Sequence, residues 1–305
     1  MGVTLHWQGE LRDAREHLQQ AFDLDGPLRQ RLDTLPYEAV DHLVANRSNR
    51  ASVLCQLGYP DQCVRASRES VALAQEIGRP SALAVALFWD GDLHQLLGDV
   101  EVVRERADAV IALATEHGFY QFVVLGMLMR GWCAVADGGQ IEGGITEMRA
   151  ALDEMRAAGA ELGRPNWTRL LAGAYGKAEQ PAQGIALIEE AVDCMNRTGQ
   201  RWVEAPLHRM KGDLLLAVSR DRHAEAEDCL RHAIDCARRQ GAKSWELRAA
   251  LSLSRLWREQ GKHDDARQLL AEIYGWFTEG FETRVMKEAK ALLEELKSVP
   301  ADART

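Results

Sequence analysis

The sequence lacks the features that usually divide a chain of this length into separate units. Its 305 residues contain no Ser/Gly/Pro-rich stretch and no block of like charge, which are the composition changes that mark linkers. No apolar run approaches the roughly 18 to 20 residues needed to span a bilayer, and the N-terminus has no signal-peptide pattern. We therefore expect one continuous cytoplasmic domain over residues 1–298, followed by a disordered tail over residues 299–305.

Basic residues are too few to give the chain a positive surface. The sequence has 46 acidic against 37 basic side chains, which leaves a net charge of -9. An acidic surface repels phosphate backbones and anionic lipid surfaces. We therefore expect neither nucleic acid nor a membrane as a partner.

Motifs for disulfides, metals and catalysis are also missing. The six cysteines form no C-x-x-C pair, and each lies inside a helical pattern, as is typical of reduced packing residues. The sequence has no phosphate-binding glycine loop, no H-E-x-x-H and no G-x-S-x-G. The nine histidines show no ligand spacing. We expect no metal, no cofactor and no enzymatic activity.

What the sequence does contain is a repeat with a period of about 40 residues. One set of glycines ends stretches rich in Ala, Leu and Glu, as helix C-caps do: Gly78, Gly118, Gly159, Gly199 and Gly241. A second set marks the turn inside each hairpin: Gly9, Gly58, Gly98, Gly139, Glu179, Asp221 and Gly261. Small residues precede those turns where packed helices cross: Gly2, Ala51, Gly91, Gly131, Ala172, Gly212 and Ser254.

These spacings predict an all-α fold, a right-handed α-solenoid of about seven tetratricopeptide-like helical hairpins with repeats of about 40 residues. The predicted hairpins cover residues 1–24, 37–78, 80–118, 119–159, 164–199, 201–241 and 243–275. An amphipathic segment over 282–297 is predicted to be a capping helix that covers the last hairpin. Residues 25–36 interrupt the period and are predicted to form a loop.

The first predicted hairpin is incomplete. Gly2 already occupies the crossing position, so the first helix has about half the usual length. We therefore expect the chain to be cut from the C-terminal end of a longer signalling protein. The apolar side of Leu11, Ala14, Leu18 and Phe22 would then lack its full partner helix. On that basis residues 1–24 are expected to be the most mobile hairpin, or to be covered by a second copy in a homo-oligomer.

In a tetratricopeptide solenoid the first helix of each hairpin lines a concave groove. That geometry nominates twelve binding residues, namely Asn49, Ser52, Trp89, Asp92, Met129, Trp132, Asn166, Arg169, Arg209, Asp213, Arg248 and Arg255. The arginines recur about one repeat apart, and a guanidinium suits carboxylates and phosphates. The alternative is that they pair with Asp213, Glu204 and Glu246 on the same helices. Both interpretations stay open at this point.

Four stretches carry a family resemblance: 57–62 (LGYPDQ), 159–165 (GAELGRP), 207–216 (LHRMKGDLLL) and 274–281 (YGWFTEGF). They resemble the C-terminal repeat region of large bacterial signalling ATPases of the STAND type, which are linked to adenylate/guanylate cyclase or winged-helix domains. The resemblance implies a regulatory domain that senses a ligand or partner and controls the ATPase. The chain itself has no Walker motif, cyclase or winged helix, so none of those activities is assigned to it.

Two classes of function are compatible with these features. The first is a protein-interaction domain whose groove holds a peptide, a protein partner or a neighbouring domain. The second is a domain that senses a small-molecule effector, such as a small anion. A deep aromatic pocket would favour the effector, and a long shallow polar groove would favour the protein partner.

Overall fold

The computed structural model of the chain describes residues 1–24, 26 and 37–298. The predicted loop over 25–36 lies almost wholly outside the described residues, and the predicted tail over 299–305 lies entirely outside them. The described part is all-α, with fifteen α-helices and no strand, and 85% of the chain is helical. None of the described helices is both long enough and apolar enough to cross a membrane.

The helices form seven consecutive hairpins and a final single helix, as predicted. Their bounds are α1 Gly2–Trp7, α2 Leu11–Asp23, α3 Tyr37–Leu57, α4 Pro60–Ile77, α5 Pro80–Leu97, α6 Val100–His117, α7 Tyr120–Ala136, α8 Ile141–Ala157, α9 Arg164–Lys177, α10 Pro181–Thr198, α11 Glu204–Val218, α12 His223–Gln240, α13 Lys243–Glu259, α14 His263–Tyr274 and α15 Arg284–Ser298. Helix α15 packs on α13 and α14 and covers the end of the array.

The repeating glycines end helices as predicted. All five glycines between hairpins have a left-handed backbone with φ from 65° to 73°, a conformation that glycine adopts at little cost. Within the fourth hairpin the left-handed residue is Gly138 rather than Gly139, because α7 ends at Ala136 and the turn follows directly. Within the sixth hairpin Asp221 lies in a 3-10 turn instead. Glu179 is the one described non-glycine residue with positive φ, at 58°.

Small residues allow the helices of a hairpin to cross closely. A Cβ atom on Gly131 of α7 would lie 2.9 Å from the backbone oxygen of Gly144 in α8, and one on Gly144 would lie 2.5 Å from the oxygen of Gly131. A Cβ atom on Gly91 would collide with the Met129 side chain. These positions therefore require glycine for packing rather than for backbone conformation.

The array curls until its last hairpin touches its second. Helix α13 packs against α3, and the Arg248 guanidinium donates a hydrogen bond to the backbone oxygen of Leu96 at the end of α5. The segment after α14 reaches the start of α4, where Glu279 accepts hydrogen bonds from the backbone nitrogens of Asp61 and Gln62 at 3.0 and 3.1 Å. The concave face is therefore partly filled by the protein itself.

The first hairpin is packed within the chain, although the sequence predicted that its apolar side would lack a full partner helix. Leu11 and Ala14 are fully buried and Leu18 is 2% exposed, because α3 packs along α2. In α1, His6 is 1% exposed and hydrogen-bonds through its two ring nitrogens to Asn49 (3.1 Å) and Gln56 (2.9 Å). The apolar side of the hairpin thus has a partner within the same chain.

Candidate functional site

The concave side of the closed array contains two cavities. The first, called the aromatic cavity, has a volume of about 380 Å³. Its walls combine seven aromatic residues with one buried carboxyl and one buried amide, namely Trp7, Phe88, Trp89, Tyr120, Phe122, Trp167, Trp202, Asp92 and Asn166. The indole nitrogen of Trp202 is buried and has no hydrogen-bond partner among the described residues.

The second, called the basic cavity, has a volume of about 340 Å³. Six cationic side chains line it, against a single carboxylate, Glu288: Arg169, Lys177, Arg209, Arg248, Arg255 and Arg284. Helices α9, α11 and α13 are the first helices of successive hairpins, so their equivalent positions face the same space. Arg284 is added by the capping helix α15. The solenoid geometry therefore converts a repeat in sequence into a cluster of positive charge.

Most of the predicted groove residues line one of these cavities. Trp89, Asp92 and Asn166 line the aromatic cavity. The basic cavity is lined by five others: Trp132, Arg169, Arg209, Arg248 and Arg255. Asp213 lies beside the basic cavity as the ion-pair partner of Arg209. A binding role for these residues stays a prediction.

Three predicted groove residues are packed inside the fold, which corrects their assignment to an open groove. Asn49 is 3% exposed and hydrogen-bonds to His6, and Ser52 is 1% exposed. Helix α1 covers this part of α3. Met129 is fully buried against Gly91, because the missing glycine side chain leaves room for it. None of the three lines either cavity.

Of the two interpretations of the arginines, internal ion pairing holds for some of the four residues and not for the others. Arg209 pairs with Asp213, and Arg255 pairs with Glu288 at 2.8 Å. Arg169 instead donates to the Asn166 side-chain oxygen, from Nε at 3.2 Å and from Nη2 at 2.7 Å. Glu204 pairs with Arg201, and Glu246 pairs with Arg238 and Lys243. Ion pairing therefore accounts for two of the four arginines.

Arg248 is the least satisfied of the four. Its Nη2 donates to the Leu96 backbone oxygen, while its Nε is buried without a hydrogen-bond partner in the described part of the chain. The side-chain oxygen of Gln95, which lines the same cavity, also lacks a partner there. Buried polar groups are normally satisfied, so this wall has hydrogen-bonding capacity that the protein does not use.

The arginines also repel one another in a poorly solvated space. Burial, followed by the charges of Arg209 and Arg248, lowers the pKa of Arg169 to about 9. Burial, followed by the charge of Arg209, lowers the pKa of Arg248 to about 10. Both pKa shifts mean that the charged forms of Arg169 and Arg248 are disfavoured at these positions. An anion in the basic cavity would favour the charged forms and raise both pKa values.

The aromatic cavity carries the opposite electrostatic character. Asp92 is 5% exposed, and burial raises its pKa to about 7, although the charge of Arg169 acts in the other direction. Asn166 lines the aromatic cavity and accepts the hydrogen bonds of Arg169, which lines the basic one. The two cavities therefore meet at this pair of residues.

Sequence reasoning missed the residues that reach the cavities through chain closure. Trp7 and Trp202 contact each other with ring centroids 5.7 Å apart but come from the first hairpin and from the turn before α11. Arg284 comes from the capping helix, for which no groove position is defined. Lys177 ends α9, and its basic side chain in the last helical turn was the one sequence feature that pointed to it. The repeat period does not place Trp7, Trp202 or Arg284 at either cavity.

Two solved structures share this fold over nearly the whole chain. The structure of a Rap protein complexed with Competence and Sporulation Factor has a TM-score of 0.63 and 13% sequence identity, covering 99% of this chain and 87% of that one. The structure of NprR in complex with its cognate peptide NprX has a TM-score of 0.62 and 13% identity, covering 95% of this chain and 81% of that one. At this identity the likeness establishes the tetratricopeptide-like fold alone.

A curated relative is found in Rhizobium meliloti (strain 1021), where it is described as "Uncharacterized protein R02095". It is 25% identical over 210 residues, which are 69% of this chain and 19% of the relative. The chain thus spans about a fifth of the length of the curated relative that it matches.

A family model described as "ANAPC5: Anaphase-promoting complex subunit 5" matches residues 4–97 and 213–298. These two ranges hold most of the first two hairpins, the first helix of the third, and the last helices of the array, which are the parts that meet when the array closes. Together they make up more than half of the chain. The chain therefore belongs to the anaphase-promoting complex subunit 5 family of helical-repeat proteins.

Proposed function

We propose that the chain is a non-catalytic protein-interaction domain that binds a short acidic peptide, or an acidic segment of a protein partner, in the basic cavity. One observation carries this proposal. Arg169 is buried and Arg248 is partly buried beside the same cavity, and neither has a carboxylate within 4.0 Å among the described residues. A carboxylate ligand is the partner that both guanidinium groups lack.

The energetics favour an anion over a neutral ligand. A cation withdrawn from water without an anionic partner loses hydration and gains only hydrogen bonds to neutral groups in return, and here three guanidinium groups also repel one another. A carboxylate can accept two parallel N–H donors from a guanidinium, which is the strongest common geometry for such a pair. Binding of a carboxylate should therefore recover part of the free energy that is lost by placing these guanidinium groups in the empty cavity.

The aromatic cavity is suited to the other end of the same ligand. Trp89 and Trp167 offer ring faces, and the Asp92 carboxyl lies in the same wall. Aromatic faces attract ammonium and guanidinium groups as well as apolar side chains, and such a cation would favour the ionised form of Asp92. A peptide with an acidic end and a basic or aromatic end would use both cavities.

The relatives support a protein or peptide partner. NprR is solved with a cognate peptide, and the Rap protein with Competence and Sporulation Factor. The family takes its description from a subunit of a multiprotein complex. A tetratricopeptide-like array that binds a segment of another protein is consistent with all three.

The cellular role that we propose is regulatory. The resemblance to the repeat region of STAND-type signalling ATPases implies that peptide binding here would control an ATPase, coupled to a cyclase or to a transcriptional regulator in the cytoplasm. The Rhizobium meliloti relative aligns over only 19% of its own length, so in that protein a segment like this one is part of a much longer chain.

A small-molecule effector is the second candidate function. The observation that favours it is the aromatic cavity itself, because a volume of about 380 Å³ lies within the range of small-ligand sites. In that case an aromatic carboxylic acid would place its ring among the tryptophans and its acid group toward Arg169.

A binding screen distinguishes the two candidates. Fluorescence anisotropy would be measured with labelled tetrapeptide pools whose C-terminal residue is Asp or Glu, against matched pools with Asn or Gln and an amidated end. Indole-3-acetate and benzoate would be tested as competitors and, separately, by calorimetry. We expect the acidic pools to bind and the amidated neutral pools to bind at least tenfold more weakly. Binding of the small acids without any acidic pool would favour the effector.

Variants then test the cavity. Arg169→Gln and Arg248→Gln should each weaken binding of the acidic pool at least tenfold, and binding should fall as salt is raised. Arg258→Gln is the matched control, because Arg258 lies on the same helix as Arg248 but pairs with Glu295 at 2.9 Å, outside the cavity. Equal affinity of the three variants for the acidic pool would contradict the proposal.

A further inference from the structure

Two histidines and one glutamate converge between α11 and α12 of the sixth hairpin, and none of the three lines either cavity. Glu204 begins α11, His208 follows one helical turn later, and His232 lies in the middle of α12. Their ligand atoms all lie within 4.8 Å of one another. The two imidazole rings have centroids 4.1 Å apart at an interplanar angle of 72°. We propose that these three residues form a binding site for a divalent transition-metal ion of the Zn²⁺ class.

The separations suit a single ion. Zinc binds histidine nitrogen at about 2.0–2.1 Å and carboxylate oxygen at about 2.0–2.2 Å, so ligand atoms around one ion lie roughly 3 to 4 Å apart. Small rotations of the side chains would bring the three groups from their present separation to that distance. Because Glu204 and His208 are four residues apart on one helix, they project from the same face.

The ring nitrogens are available for a metal. Neither His208 nor His232 makes a hydrogen bond to any described residue, whereas His6 and His94 elsewhere in the array are hydrogen-bonded. Two imidazole rings in contact repel each other if both are in the charged, doubly protonated form. Both rings can instead coordinate the same metal ion.

The surrounding charges are mixed, with carboxylates in excess. The depression that both histidines line has a volume of about 480 Å³ and is bordered by four acidic side chains and one lysine: Glu189, Asp193, Glu225, Asp228 and Lys211. Lys211 is partly neutralised by Glu189 at 3.5 Å. Arg201 contacts Glu204 at 3.5 Å, and the charge of Arg239 acts on His208. A divalent cation would compete with these two arginines for the site.

The donor set indicates which ions fit. Imidazole and carboxylate together suit Zn²⁺, Co²⁺, Ni²⁺ and Cu²⁺, whereas Ca²⁺ and Mg²⁺ prefer oxygen ligands alone. Three protein ligands leave at least one coordination position for water, since His232 is exposed. A bound ion would join α11 to α12, two helices that otherwise pack through apolar side chains such as Leu230 and Leu215.

The test uses the full chain without a histidine tag, after treatment with a chelator. Co²⁺ would be added and its visible d–d absorption followed, with Zn²⁺ as a competitor and elemental analysis for stoichiometry. We expect one equivalent to bind and the melting temperature to rise on addition of Zn²⁺ but not of Mg²⁺. His208→Ala and His232→Ala should each weaken binding at least tenfold, and Glu204→Gln should weaken it less.

His117→Ala is the matched control, because His117 is an exposed histidine at the end of α6. It should bind Co²⁺ as the parent chain does. His232 is exposed, so its removal leaves the fold intact, and the metal-free melting temperature of each variant checks this directly. The proposal is overturned if no equivalent of Co²⁺ or Zn²⁺ binds, or if affinity is unchanged in both histidine variants. Neither result depends on whether a peptide binds in the cavities.

Discussion

The Ser244 hydroxyl donates a hydrogen bond to the backbone oxygen of Cys55 at 2.5 Å, across 189 positions of the chain. Ser244 lies in the first turn of α13 and Cys55 in the last turn of α3. The bond therefore joins the last hairpin to the second. It belongs to the same closure that positions Arg248 against Leu96 and Glu279 against the start of α4.

The closure contact at Glu279 should contribute measurably to stability. Its carboxylate accepts hydrogen bonds from the backbone nitrogens of Asp61 and Gln62 and from the Gln62 side chain, at 3.0 to 3.1 Å. A negative charge at a helix N-terminus also interacts favourably with the helix dipole. We expect Glu279→Gln to lower the free energy of unfolding by about 1 to 2 kcal/mol, as measured by urea denaturation. Glu282→Gln, at an exposed neighbouring position, should change it by less than about 0.5 kcal/mol.

Two glycines of the fourth hairpin should respond oppositely to the same substitution. In Gly131→Ala the new Cβ would meet the Gly144 backbone oxygen at 2.9 Å, and a backbone atom cannot move aside cheaply. We expect a loss of about 1 to 3 kcal/mol. Gly139→Ala places its Cβ in open space with no positive φ, so it should be neutral or slightly stabilising. Equal melting temperatures for the two variants would show that α7 and α8 can separate at low cost.

The repeat was predictable because each hairpin needs the same local devices. A left-handed residue ends most helices of the array and a small residue allows the helices of a hairpin to cross closely, so Gly78 and Gly91 carry that information in the sequence itself. Closure was not predictable in this way. It depends on the small rotation between successive hairpins summed over the array, and no single residue such as Ser244 or Glu279 encodes that rotation.

The candidate sites, like the fold, were predictable from the sequence only in part. The arginines recur with the period, so Arg169, Arg209 and Arg248 could be placed on one face before the structure was known. Their lack of carboxylate partners could not, because it depends on which helices pack together: Glu246 pairs with Arg238 of the preceding helix. The Glu204–His208–His232 cluster was missed because His232 lies on the next helix, at a spacing that no metal motif uses.

Asp92 should make stability depend on pH. Burial raises the pKa of its carboxyl from 3.8 to about 7, so between these values the folded state retains a proton that the unfolded state has lost. Stability from this group is therefore full below about pH 4 and is lost as the pH rises through about 7. Asp92→Asn should be more stable than the parent at pH 7.5, by up to about 4 kcal/mol, and nearly equal to it at pH 4.

Chemical denaturation at several pH values checks this expectation for Asp92. Asp265→Asn is the control, because Asp265 is exposed in the first turn of α14 and its variant should follow the parent at every pH. If the advantage of Asp92→Asn is the same at pH 4 and pH 7.5, the carboxyl is ionised in the folded state across this range, and the argument from burial fails.

Arg248 should lower the stability of the unliganded chain while increasing its affinity for acidic peptides. Burial, followed by the charge of Arg209, lowers the pKa of Arg248 from its usual value to about 10, which corresponds to about 3 kcal/mol of cost for keeping the charge in the unliganded cavity. Arg248→Met removes that cost and forfeits the hydrogen bond to Leu96, worth about 1 kcal/mol. We therefore expect the unliganded variant to be about 2 kcal/mol more stable than the parent, while losing affinity for acidic peptides. Arg258→Met, which breaks an ordinary ion pair with Glu295, should give neither effect. A destabilised Arg248→Met variant would mean that Arg248 supports the closure of the array and that the empty cavity carries no electrostatic cost for an anion to relieve.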